Sequence, residues 1–142
     1  MSTEANKVVV RRYREILNAN QTDKLGEVLA PDFKAHNLMP GLPPGLAGAQ
    51  MVHQGTVAAF PDLHVTTEQL LAEGDTVIEV WRQTQTHTGG PIFGLAANTG
   101  KSVKTTGISL YRIKDGKIVE HRAEMDFFGV MMQLGLVQPP GM

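Results

Sequence analysis

Val9, Tyr13, Ile16 and Leu17 recur at helical spacing near the start of the chain, and Lys7, Arg11, Arg12 and Arg14 supply polar faces. This pattern predicts an opening helix. "ANQTD" breaks it, and Thr22 or Asp23 stands where it can cap a short second helix through "KLGEVLA", which Pro31 ends. "DFKAHN" reads as a short extended piece, and "LMPGLPPGLAG", rich in proline and glycine, as a loop. A third helix is expected over roughly 47–59, stopping before "FPD". Beyond it the period changes. "LHVTTEQLLAE", "TVIEVWRQTQTHT", "KSVKTTGISLYRI" and "KIVEHRAEMD" are threonine- and valine-rich strands, separated by the turn-like "EGD", "GGPIFGLAANTG" and "KDGK". "FFGVMMQLG" adds a closing helical turn or two, and "VQPPGM" is a tail. Helices first and long antiparallel strands afterwards predict an α+β fold, in which a strongly curved sheet wraps the helices as a cone with an interior pocket.

Composition narrows the class. The 142 residues fit one domain spanning 1–142, and 42% hydrophobic residues suffice for one core. Thirteen basic and 14 acidic residues leave a formal charge of -1, which offers no footprint for nucleic acid and no polybasic membrane patch. The absence of cysteine excludes disulfides, thiolate metal sites and thiol catalysis. The N-terminal stretch carries no apolar run of signal-peptide length, and no segment approaches the ~18 apolar residues of a membrane span. A soluble cytoplasmic protein is expected.

Candidate chemistry concentrates in "HRAEMDFFG", residues 121–129. Regular alternation puts Arg122, Glu124 and Asp126 on one strand face and His121 on the other, so His121 and Asp126 do not form a dyad unless a bulge intervenes. Asp126 stands directly before Phe127 and Phe128. It is either a helix cap or a buried acid whose pKa is set by whichever neighbour lies closer, a carboxylate raising it and an arginine lowering it. Trp81, Gln83, Gln85 and His87 share a face by the same alternation, a sensible lining for an oxygen-rich aromatic ligand. The plainer reading of His87 is a solvated strand end. His36, where a strand meets the proline-rich loop, either lines a pocket mouth or caps the loop. His53 and His64 have no partner at metal-ligand spacing, and no phosphate loop or serine-hydrolase elbow is present. Acid–base work by a carboxylate or histidine in an apolar pocket is what remains.

"FKAHNLMPGLPPGLAG", "AFPDLHVTTEQLLAEGDTV", "THTG", "TGISLYRIKDGKIVEHRAEMD" and "FFGVMMQLG", in this order and spacing, resemble the SnoaL-like polyketide cyclase family of the NTF2-like superfamily. The resemblance runs from the first helix to "MMQLG". It implies a curved antiparallel sheet over three helices, assembled as a homodimer or homotetramer. It implies an intramolecular aldol condensation on a polyketide ester, without metal, Schiff base or other cofactor. The family's general acid/base aspartate falls on Asp126, and its accompanying histidine falls on Ser109, which cannot serve as a comparable acid. His36, Trp81, His87, Arg122 and Glu124 are then expected to line or tune the pocket for a small hydrophobic or aromatic substrate. Two alternatives stand beside this enzyme: a binding protein that holds a hydrophobic ligand without turnover, and an isomerase or hydrolase on the same fold.

Overall fold

Ser2 opens the first helix, α1 (Thr3–Asn18), by accepting the Ala5 N–H on its hydroxyl at 3.0 Å. The structure is a computed structural model and describes residues 2–36, 41–90 and 99–141; the expected loops fall partly at 37–40 and 91–98, outside the described residues. Val10 and Ile16 are fully buried on one side of α1, with Val9, Tyr13 and Leu17 packed beside them.

The expected second helix is shorter and tighter than the sequence suggests. Thr22–Glu27 is a 3-10 helix whose cap position, Gln21, makes no side-chain cap bond. Leu29 already belongs to a strand, β1 (Leu29–Ala35), with Pro31 inside it. Leu25, Val28 and Leu29 have helical spacing, but all three are buried in the main core, where Leu29 pairs with Ile118 of the last strand. Pro31 is tolerated because β1 is an edge strand and its pairing is irregular between Leu29 and Lys34.

The remaining elements are α2 (Gly45–Ala59), β2 (His64–Glu73), β3 (Thr76–Thr86), β4 (Ser102–Lys114), β5 (Lys117–Met125) and α3 (Phe127–Gln133). The sheet order is β1-β5-β4-β3-β2, with β1 parallel to β5 and every other pair antiparallel. Asp115 and Gly116 both take positive φ, 52° and 78°, which closes the β4–β5 hairpin as "KDGK" predicts. A bulge between Thr67 and Gln69 shifts the phase of β2: Val65 and Thr67 lie opposite Gln83 and Trp81, whereas Leu70 and Ala72 lie opposite Glu79 and Val77. Such a bulge bends the strand and increases its twist, in keeping with a curved sheet closing over helices.

The inner face carries two separate apolar clusters. One joins Val10, Ile16, Leu25, Phe33, Val77, Tyr111 and Ile118 under α1. The other joins Ala59, Phe60, Val103, Val130 and Leu134 at the opposite end, where α3 closes the sheet. Inside the first, α1 is held by an ion pair. Arg14 donates to both oxygens of the fully buried Glu79, at 3.1 and 2.7 Å. Thr67 and Tyr111 hydroxyls donate to the same carboxylate, each at 2.6 Å. Burial alone would raise the Glu79 pKa, but the hydrogen bonds and charge of Arg14, aided by Thr67 and Tyr111, bring it below the usual carboxylate value.

Removing one partner leaves a buried charge uncompensated, whereas removing both does not. Arg14→Met is therefore expected to cost about 3–5 kcal/mol of unfolding free energy. The double variant Arg14→Met, Glu79→Leu should recover much of that loss in a urea titration. A double variant no more stable than the single one would contradict this account.

Candidate functional site

A buried polar strip separates the two apolar clusters. Alternation along β3 turns Val77, Glu79, Trp81, Gln85 and the following His87 inward, all of them buried, with Gln83 partly so. Along β4, Val103, Thr105, Gly107, Ser109, Tyr111 and Ile113 are the buried positions. Gln85, Thr105 and Ser109 are each 6% exposed or less, although none belongs to an apolar cluster. A sheet face devoted only to packing would fill this band with aliphatic side chains, so amides and hydroxyls here mark a place where polar groups are wanted.

Trp81 crosses the strip. Its ring lies over Gly107, its register partner, so closely that a Cβ at 107 would fall 2.2 Å from Cζ2. Only glycine fits beneath the indole. Trp81 Nε1 donates to Ser109 Oγ at 2.9 Å, which leaves the Ser109 hydroxyl hydrogen to point elsewhere. Gln83 donates its side-chain amide to that of Gln85. Trp81, Gln83, Gln85 and His87 thus share the inner face, but they do different things. His87 is wholly buried, accepts the Thr99 N–H on Nδ1 at 3.2 Å, and has Nε2 against the Gly90 carbonyl. Both ring nitrogens bind backbone on either side of the loop, and Phe60 packs on the ring at 5.6 Å. His87 is built in as a structural histidine.

The last strand corrects the expected orientation of Arg122 and Glu124. Ser109 faces Ala123, Tyr111 faces His121 and Gly107 faces Met125, so 121, 123 and 125 look inward. Arg122 and Glu124 pair with the exposed Leu110 and Ile108 on the outer face, and both are exposed. The parity was readable, but the buried Ile118 shares it with Arg122 and Glu124, and only the register shift between Ile118 and Glu120 turns His121 inward, opposite Tyr111. His36 is also placed away from the strip. Its Nε2 sits 2.8 Å from Glu120 Oε2, and Glu120 in turn pairs with Arg112 at 2.6 Å.

Asp126 caps α3. Its Oδ1 accepts the Gly129 N–H at 2.9 Å, and a Cβ on Gly129 would strike the carboxylate at 2.2 Å. The residue is exposed, and Phe127 and Phe128 beside it are themselves 44% and 46% exposed. The expectation of a carboxylate buried against two phenylalanines is thus not met by this arrangement. Its carboxylate borders a groove of about 350 Å³ lined by Val80, Thr106, Ile108, Glu124 and Met125.

His121 is the inward-facing, half-buried histidine that the alternation places on the face opposite Asp126. Its ring stacks on Tyr111 at 4.9 Å and on Phe33 at 6.3 Å, with Tyr13 tilted nearby. Burial, then the neighbouring Arg14 charge, lowers its pKa to about 4, against an opposing pull from Glu79. Glu79 itself was legible as a charged residue in phase with Val77 and Trp81. Among the described residues no group of three or more histidines and carboxylates is arranged to hold a metal ion, and no helix is long and apolar enough to cross a membrane.

The SnoaL-like polyketide cyclase family model matches residues 7–134. The chain belongs to the SnoaL-like polyketide cyclase family. Solved structures agree in fold. IdmH of Streptomyces antibioticus, a candidate polyketide cyclase, is 29% identical over 92% of this chain and 98% of its own, with a TM-score of 0.79. AclR of Streptomyces galilaeus, a candidate hydroxylase, is 25% identical over 97% of this chain and 89% of its own, with a TM-score of 0.80. TsrD of Streptomyces laurentii, 24% identical over 96% and 99%, shares the fold at a TM-score of 0.87. No protein of curated function matches the chain. The NTF2-like cone expected for this SnoaL-like chain is therefore the observed architecture.

The histidines have a consequence for acid stability. His121 is lowered to about 4, and His53 is lowered by burial despite the Leu17 carbonyl that favours its charged form. The unfolded chain takes up these protons first, near pH 6.5. Stability is thus fully present above about pH 6.5 and declines as the pH falls toward 4. For His121 the loss reaches at most about 3 kcal/mol. Thermal melts from pH 7 to 4 should show this decline, and His121→Phe should flatten it. An unchanged slope in that variant would refute the assignment.

Proposed function

We propose that this SnoaL-like chain is a cofactor-free acid–base enzyme acting on a small, hydrophobic, oxygenated ring compound of polyketide type. The observation that carries the reading is the buried polar strip between two apolar clusters. It offers Trp81, Gln83, Gln85 and Ser109 to a ligand on a preformed sheet. The reaction proposed is intramolecular aldol ring closure with Asp126 as general acid/base. A carbon flanked by carbonyls gives its proton to the Asp126 carboxylate. The resulting enolate carbon bonds to a ring-closing carbonyl carbon, and the alkoxide so formed takes the proton back from Asp126. The cap geometry suits this role in one respect. Gly129 orients Oδ1, while Oδ2 has no hydrogen bond among the described residues. Because Asp126 is exposed, the substrate itself, laid across Phe127 and Phe128, would have to supply the desolvation that raises basicity.

A second reading keeps the fold and the ligand but not the turnover. The exposed, helix-capping placement of Asp126 favours it, as does serine at 109. A ligand that copurifies and remains chemically unchanged on incubation supports binding alone.

The deciding experiment is turnover of a polyketide β-keto ester by wild type and Asp126→Asn, followed by product mass. Asparagine keeps the cap, so the expected result is a 10²- to 10⁴-fold loss of kcat with folding intact. Unimpaired turnover in Asp126→Asn would sink the proposed mechanism. For assembly we propose a homodimer or homotetramer through the outer sheet face, where Leu71, Ile108 and Leu110 are exposed. Sedimentation at micromolar concentration should give at least twice the 15.4 kDa chain mass, and a monomer would overturn this.

A further inference from the structure

His121 is the one histidine among the described, inward-facing sheet residues whose ring nitrogens are not committed. His87 binds Thr99 and Gly90, and His53 binds Thr22 and Leu17. Neither ring nitrogen of His121 has a hydrogen-bond partner among the described residues, although the ring is held between Tyr111 and Phe33. Tyr111 cannot swing to serve it, since its hydroxyl donates to Glu79 at 2.6 Å. His121 is half-buried rather than sealed, and its ring nitrogens are not among the buried, unpartnered polar atoms of the described residues, so a ligand can reach them. Its inward neighbour along β5 is Ala123, which faces Ser109, so small side chains lead from His121 into the polar strip. On the other side Phe33 and Ala35, its stacking and register partners, line a cleft of about 350 Å³ with Pro44 and Ala49.

We propose that His121 is a ligand-contacting residue at the deep end of the substrate site, where a ring nitrogen accepts the hydroxyl of a phenolic or enolic ring. This rests on the reading of the polar strip as the substrate site and adds to it the class of group recognised. The aromatic stack suits a flat ring beside the imidazole, and the acceptor selects a hydroxyl over an ether. The imidazole stays available as an acceptor through the neutral range because its surroundings oppose a second positive charge. Arg14 and Tyr13 face it from α1, Glu79 from β3, Tyr111 from β4, and His36 follows β1.

The test uses two fluorescent probes of one shape, 2-naphthol and 2-methoxynaphthalene, titrated into the whole protein. Wild type should bind the naphthol about tenfold more tightly, as one buried hydrogen bond implies. His121→Phe, which preserves the stack, should bind both equally. The His121 ring nitrogen resonances should move on adding 2-naphthol to wild type and not on adding the ether. Equal affinity for both probes in wild type, or a preference that survives His121→Phe, would overturn the inference and leave the strip standing as a site. Binding of neither probe would overturn the reading of the strip, and the inference with it. His121→Gln, which keeps a polar acceptor, should restore part of the discrimination if the ring nitrogen is what matters.

Discussion

The Glu79 carboxylate organises the cone. It lies wholly out of solvent, and its four hydrogen bonds come from α1, β2 and β4 while it stands on β3. Apolar contacts are non-directional and would let α1 slide or rotate over the sheet at little cost. A buried carboxylate with two bonds to each oxygen does not permit this, because any displacement strands a charge. The pair therefore fixes where Tyr13 and Arg14 stand relative to β4 and β5. Tyr111, held by the same carboxylate, in turn fixes the face against which His121 stacks. Asn18 extends the tether one turn further along the helix, its amide exchanging hydrogen bonds with the backbone of Val65 at 2.8 and 2.9 Å.

With α1 set, the inner face divides. Val77, Tyr111 and Ile113 go to the helix side, and Val103 goes to the side closed by Phe60, Val130 and Leu134. The residues between are hydroxyls and amides with one tryptophan. That band could not be stable if its polar atoms were orphaned, and they are not: Trp81 serves Ser109, and Gln83 serves Gln85. The arrangement satisfies each group once while leaving hydrogen-bonding capacity over, most clearly the Ser109 hydroxyl hydrogen. Gly107 makes it possible, since any side chain there would lift the indole off the sheet and break the bond to Ser109.

Much of this fold was legible because strands and helices write different periods. The four long strands, the third helix and the closing turns lie within a few residues of where the pattern put them. The one misassigned segment, "KLGEVLA", has spacing that suits either period, and pairing between Leu29 and Ile118 decided it. The site was less legible, for a different reason. Alternation separated His121 from Arg122 and Glu124 correctly, but alternation has no sign. Which face is inner depends on the partner across the ladder, and Tyr111 opposite His121 supplies it. Ion pairs such as Arg14 with Glu79, 65 residues apart, are set by topology and leave no local mark.

Asp126 and His121 are five residues apart on one extended segment, about 16 Å. That distance is too great for a proton to pass between them, and parity turns them to different faces. A ligand that met both would have to turn round the end of β5, because Asp126 borders a groove lined by the outer-face residues Thr106, Ile108 and Glu124. Ala123 and Met125 are the inward side chains between them, opposite Ser109 and Gly107. Ala123 and Ser109 are small, but the Trp81 indole covers Gly107 and Met125 is large, so only an elongated, flat molecule could span both ends. A compact ligand could reach only one. The separation of the two groups thus argues that the substrate's length, as much as its chemistry, decides whether this site catalyses or merely binds.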